Sequence, residues 1–158
     1  MLAATALFAT LVSTKISNAA YFYNRTRPLV IAHRGASGQF PEHSVGSYSS
    51  AYHYGADFVE IDLQITKDGH IVTNHDPCLR TTTNVDQYEW LFGDRKANYI
   101  FPPYTEVYTS DYLIHDFTLQ ELKTLRRRAR YPIRNQMFNA EFSMLTLEDT
   151  IEMLLELN

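Results

Sequence analysis

From Pro28 onward, apolar and polar positions fall into short blocks that alternate between strand-like and helix-like spacing. Leu29–Ala32 is an apolar run, and His33–Pro41 after it is polar and loosened by Gly35, Ser37 and Gly38, so a strand leads into a loop. Val45, Tyr48 and Ala51/Tyr52 recur at helical spacing behind Ser44. That predicts a helix capped by Ser44, running to about Tyr54 and stopped by Gly55. Phe58–Ile65 predicts a second strand, Lys67-Asp68-Gly69 a turn, and Ile71–Asn74 a third strand. No helix fits between the second and third strands. If both run parallel, about six extended residues spanning roughly 20 Å must make the return, a local departure from a regular barrel.

The pattern then fades. Residues 84–115 scatter aromatic residues around Pro102-Pro103 with no clear period, which predicts an irregular insertion over a site mouth. Thr118-Leu119-Gln120-Glu121 is a capping box opening a helix to about Arg130, with Arg126-Arg127-Arg128 as a solvated basic face near its C-terminus. Thr146 caps a last helix, Leu147 to about Leu157, whose apolar face is Leu147, Ile151, Leu154 and Leu155.

Composition narrows the class. At 158 residues the chain supports one domain with a core, yet a closed eight-strand (β/α) barrel takes roughly 250. A net charge of −4 argues against a nucleic-acid partner. The one cysteine, Cys78, allows no internal disulfide and reads as a half-buried thiol. The first twenty residues are apolar, rich in small side chains, and end near Ser17-Asn18-Ala19. They read as a secretory signal, although no Lys or Arg precedes the apolar run, and are too short to span a bilayer. An extracytoplasmic location follows as an expectation, and Asn24-Arg25-Thr26 fits it as an N-glycosylation sequon.

Chemistry concentrates between Val30 and Asp76. Glu60 and Asp62 are two apart in a strand-like run, so both carboxylates leave the same side. Two unpaired carboxylates buried together cost several kcal/mol, so a cation belongs between them, and a divalent metal is the obvious candidate. His33 and Arg34 follow the first strand and His75-Asp76 follows the third. Two histidines, an arginine and an acid pair at strand ends predict an active site at one mouth of a strand barrel. His53 and His70 read as surface residues, and His115 as a weaker candidate for the cleft.

These residues carry a resemblance. HRG (33–35), PEHS (41–44), GAD (55–57), EID (60–62), TKDG (66–69) and HD (75–76) stand in the order and spacing of the glycerophosphodiester phosphodiesterases. The likeness continues through residues 80–85, Asp116–Leu119 and Thr146–Asp149, and is nearest the secreted and periplasmic branch. It implies an α/β fold, the N-terminal half of a TIM-type (β/α)8 barrel over residues 28–158, with the insertion at about 84–115. It also implies hydrolysis of a small-molecule glycerophosphodiester to glycerol 3-phosphate and an alcohol. His33 and His75 would form the acid–base pair, Arg34 and Glu42 would bind substrate, and Glu60 and Asp62 would hold a metal. Oxygen-only ligands point to Ca²⁺ or Mg²⁺ rather than zinc, and the resemblance to the secreted and periplasmic branch implies Ca²⁺, with Mg²⁺ as the alternative. Two departures stand out. His43-Ser44 replaces the family's Asn-Thr, and the family's third metal carboxylate lies on a strand after the last predicted helix. Glu141 comes too early in the order to replace it. The chain therefore reads as truncated, and residues 1–158 alone are expected to be inactive. The alternatives are a non-catalytic remnant and a phospholipase D-like relative of the sphingomyelinase D type.

Overall fold

The computed structural model describes residues 26–101 and 106–157. The signal-like stretch, Asn24 of the sequon, and Pro102-Pro103 lie outside the described residues. Strand β1 (Ile31–Ala32) pairs in parallel with β2 (Phe58–Val59), Ile31 opposite Phe58. The helix between them, α1 (Val45–His53), makes the crossover that parallel pairing requires. Its ends are set as the sequence predicts: the Ser44 hydroxyl accepts from Ser47 N–H at 3.1 Å, and Gly55 follows at φ +76°. Arg27 and the Val30 N–H both bind the Asp57 carboxylate, so the aspartate of the GAD motif anchors the entry to β1.

The expected second strand does not run unbroken to Ile65. It stops at Val59 and resumes as β3 (Leu63–Ile65), which pairs antiparallel with β4 (Ile71–Thr73). The reading of three parallel strands is thus corrected to a parallel pair followed by a hairpin. The cause is loop length: the Thr66–His70 stretch closes a tight turn, with Gly69 at φ +84°, and only an antiparallel partner lies within its reach. Glu60 N–H still bonds Ala32 C=O at 3.0 Å, and Asn74 N–H bonds Asp62 C=O at 3.1 Å. The acid pair therefore occupies the short link between the two ladders, tied on both sides. Together these elements make an α/β fold; no closed barrel is present among the described residues.

Among the described residues the insertion holds regular elements rather than irregular chain. After helix α2 (Glu89–Phe92), strands β5 (Lys96–Phe101) and β6 (Glu106–Tyr112) form an antiparallel hairpin. The sequence hid it because its aromatic residues do not alternate cleanly and a register shift lies between Ala97 and Tyr99. Its base enters the core, where Phe92 and Tyr112 meet Phe117 edge-on at 5.0 and 6.4 Å beside Val72, Leu79 and Met144. Both ends of this excursion are clamped: Leu79 N–H bonds Tyr112 C=O at 3.0 Å and Ile114 N–H bonds Pro77 C=O at 2.9 Å.

Helix α3 (Leu119–Thr124) carries the predicted capping box at Thr118 but ends well before Arg130. Leu125 turns extended, Arg126 bridges Ser143, and Arg127 bridges Thr83. Arg127 is fully buried rather than solvated, and donates to Asn74 Oδ1 at 2.5 Å and to Thr73 C=O. Burial draws its pKa down to about 10, which leaves it cationic at neutral pH. Helix α4 (Leu147–Leu157) begins where expected, Thr146 and Asp149 exchanging hydrogen bonds at 2.8 and 2.9 Å. Its apolar face is only partly covered, with Ile151 45% and Leu155 48% exposed. Cys78 is fully buried, more deeply than its sequence context suggests. No helix among the described residues is long and apolar enough to cross a membrane.

Candidate active site

The turn after β1 sets the site. Arg34 and Gly35 both take positive φ, +61° and +78°. Glycine is required at the second position, since a Cβ there would lie 2.1 Å from the Ser47 hydroxyl oxygen. A non-glycine residue in the first conformation is uncommon and costs about 1–3 kcal/mol where the surroundings impose it. Here they do: the Ser47 hydroxyl donates to Arg34 C=O at 2.7 Å, and Arg34 N–H donates to Glu60 Oε2 at 2.8 Å. The Arg34 guanidinium donates through NH1 to Glu42 at 3.0 Å, and its Nε lies 3.4 Å from Asp62 Oδ2. Glu60 thus meets the Arg34 backbone and Asp62 its guanidinium. Among the described residues, Arg34 Nε and NH2 make no hydrogen bond.

Glu42 is not open to a substrate. Its side chain is 0% exposed and both oxygens are occupied by Arg34, Arg130 and Arg134, with distances from 2.7 to 3.3 Å. The expected substrate contact is corrected to an anchoring role, because a carboxylate enclosed by three guanidiniums has no face left for a ligand. Burial raises its proton affinity, but hydrogen bonds and charge from Arg130, then Arg34, outweigh this and bring its pKa from 4.5 to about 2. The folded state then binds the proton more weakly than the unfolded state. The stability Glu42 lends is complete above about pH 4.5 and is lost as the pH falls towards 2. We expect the difference in unfolding free energy between the protein and its Glu42→Gln variant to shrink across that window. Chemical denaturation at stepped pH measures it, and a constant difference would contradict the assignment.

Arg130 extends the network. It holds Glu42 through Nε and NH2 and Asp76 Oδ2 through NH1 at 2.6 Å. Asp76 also accepts from Thr81 at 2.9 Å and lies 2.6 Å from His75 Nδ1. Burial disfavours the Asp76 charge, yet hydrogen bonds from Arg130 and His75 hold its pKa below the ordinary value. An ionised carboxylate only accepts, so His75 donates from Nδ1, and its Nε2 makes no hydrogen bond among the described residues. The His75 side chain is 41% exposed. His33 is exposed on the turn before Arg34, its ring unbonded among the described residues and its C=O accepting from Ser37.

Sequence reasoning missed Arg130 and Arg134, which sit in a loop without periodicity and are recruited by Glu42, 88 and 92 residues earlier. Glu141 is exposed and joins none of these groups among the described residues. His53, His70 and His115 are exposed, as expected for the first two. Among the described residues no three His, Cys, Asp or Glu side chains are grouped to hold a metal. Glu60 and Asp62 nevertheless suit a hard cation, since Glu60 Oε1 and Asp62 Oδ1 accept no hydrogen bond among the described residues.

Comparison with known proteins identifies the family. The sequence model of the Glycerophosphoryl diester phosphodiesterase family matches residues 33–158. A glycerophosphodiester phosphodiesterase of Arabidopsis thaliana is 38% identical over 131 residues, covering 83% of this chain and 34% of that protein. One of Haemophilus influenzae is 32% identical over 151 residues, covering 89% of the chain and 38% of that protein. The chain thus spans roughly a third of the length of these curated relatives. An Oleispira antarctica phosphodiesterase, solved in complex with the product sn-glycerol-3-phosphate, superposes with a TM-score of 0.56 at 29% identity, covering 82% of this chain and 41% of that one. These likenesses favour the glycerophosphodiesterase reading over the sphingomyelinase D-type alternative.

Proposed function

The chain belongs to the glycerophosphoryl diester phosphodiesterase family, and from that premise we propose that its full-length protein hydrolyses glycerophosphodiesters to glycerol 3-phosphate and an alcohol. The observation that carries the reading is one hydrogen-bonded chain, Arg34–Glu42–Arg130–Asp76–His75. It fixes a guanidinium suited to phosphate and an imidazole suited to proton transfer in a single buried frame. Displacement at a phosphodiester needs one proton taken from the nucleophile, one given to the leaving oxygen, and positive charge at the phosphoryl oxygens.

His75, oriented by Asp76, and His33, on the turn beside Arg34, share the two proton transfers. Arg34, seated on Glu42, turns its unoccupied NH2 to a phosphate oxygen. Glu60 and Asp62 would hold Ca²⁺, or Mg²⁺ in the alternative, and the bound ion supplies charge against the developing phosphoryl charge. The remaining oxygens of its shell would come from water or other ligands. The segment is read as the first part of a (β/α)8 barrel, in keeping with the superposed phosphodiesterase, and the location as extracytoplasmic on the N-terminal sequence alone.

The test is release of glycerol 3-phosphate from glycerophosphocholine by the purified full-length protein, with and without EDTA. EDTA-sensitive release is expected, and a folded protein that releases none would refute the reading. Glu60→Gln should raise the Ca²⁺ concentration giving half-maximal rate by at least about 10-fold, with activity partly restored by excess Ca²⁺. An unchanged requirement would remove Glu60 from the cation site.

A further inference from the structure

His43 stands where the resemblance leads one to look for asparagine, and its surroundings are unusual for a histidine. The residue is fully buried and its backbone sits at φ +55°, a conformation that asparagine accepts more readily. Such a conformation persists when neighbouring contacts over-determine it. Those contacts are two polar atoms on opposite sides of the ring: Nδ1 lies 2.6 Å from the hydroxyl of buried Tyr48, and Nε2 lies 3.1 Å from Asp62 Oδ2. An asparagine amide is too short to reach both.

The proton positions follow from the partners. Asp62 lies 3.4 Å from the Arg34 guanidinium, so it is a carboxylate and can only accept. The His43 Nε2 therefore carries the hydrogen. On the other side of the ring Nδ1 meets the hydroxyl of buried Tyr48, so both ring nitrogens are engaged and the imidazole ties Tyr48 to Asp62. The Nε2 contact takes up Asp62 Oδ2, and Asp62 Oδ1 accepts no hydrogen bond among the described residues.

We propose that His43 is a positioning residue: its imidazole, backed at Nδ1 by Tyr48, holds the Asp62 carboxylate through Oδ2 and leaves Oδ1 for a divalent cation. The inference rests on the assignment of Glu60 and Asp62 to that cation. It differs from orientation of the proton-transfer histidines, because His43 is sealed from solvent and touches neither His33 nor His75 among the described residues.

Two measurements on the full-length protein test it. Imidazole ¹⁵N chemical shifts report the tautomer without any metal present, and calorimetry reports Ca²⁺ affinity without any turnover. The wild-type spectrum should show one buried ring protonated at Nε2, and Tyr48→Phe should shift its Nδ1 resonance while leaving the ring in place. His43→Asn, which suits the backbone but not the reach, should weaken Ca²⁺ binding by 10-fold or more, on the scale of other lost supporting hydrogen bonds at metal sites. Tyr48→Phe should weaken it in the same direction, by about 3-fold, and answers the question if His43→Asn does not fold. A buried ring with no proton on Nε2 in the wild type, or Ca²⁺ affinity unchanged in both variants, overturns the proposal alone. A wild-type protein that binds no Ca²⁺ or Mg²⁺ overturns the cation assignment and the proposal with it.

Discussion

In the full-length protein, His75→Ala and His33→Ala should each lower turnover of a glycerophosphodiester by about 10²-fold or more, the scale of lost general acid–base catalysis. The loss should appear in kcat with KM little changed, because neither imidazole is the group that holds the phosphate oxygens. The two sites differ in their support. His75 is held at 2.6 Å by an aspartate that is itself fixed by Arg130 and Thr81, whereas the His33 ring has no hydrogen-bonded partner among the described residues. Steady-state kinetics of the two variants, at saturating Ca²⁺, provide the check. Rescue of either variant by further Ca²⁺ would count against proton transfer as its role, since a metal cannot replace an imidazole proton.

The second large effect falls on stability. Glu42→Gln keeps the shape of the side chain but removes the negative charge on which Arg34, Arg130 and Arg134 converge. Removing one partner of a buried ion pair costs about 3–5 kcal/mol, because the remaining charge stays buried without compensation. For a domain of this size that corresponds to a fall in the thermal midpoint on the order of 10 °C. Differential scanning calorimetry at neutral pH measures it. A shift within a degree or two would show that the guanidiniums find other acceptors, and that Glu42 is not the centre of the network.

What the sequence disclosed and what it withheld divide along chain separation. The Ser44 and Thr118 caps were legible because each joins groups three residues apart, and the acid pair because two residues in extended backbone share a side. The motif order carried the family through short local patterns. What stayed hidden depends on distant partners. Arg127 reads as one more basic residue until Thr73 and Asn74, more than fifty residues earlier, accept its protons. Helix α3 ends early for the same reason, since Arg126 and Arg127 are drawn into bridges with Ser143 and Thr83. The antiparallel turn at Thr66–His70 was nearly legible: its Lys67-Asp68-Gly69 signal was read, but the expectation of a parallel neighbour overrode it. The Asn-to-His departure at position 43 was visible as a difference, yet nothing local reveals that its ring spans Tyr48 and Asp62.

The clamp that joins Pro77–Leu79 to Tyr112–Ile114 makes the long excursion between them a cassette. Its root is fixed twice, by those backbone bonds and by Phe92 and Tyr112 in the core, whereas the β5–β6 hairpin beyond the root lines a groove with Arg80, Thr81 and Arg128. Lengthening a loop whose ends are already pinned costs only in proportion to the logarithm of its length, about 0.6 kcal/mol per doubling. Natural variation can therefore resize or replace this tip as a unit and reshape one wall of the groove next to Thr81, without moving the Asp76–Arg130–Glu42 frame.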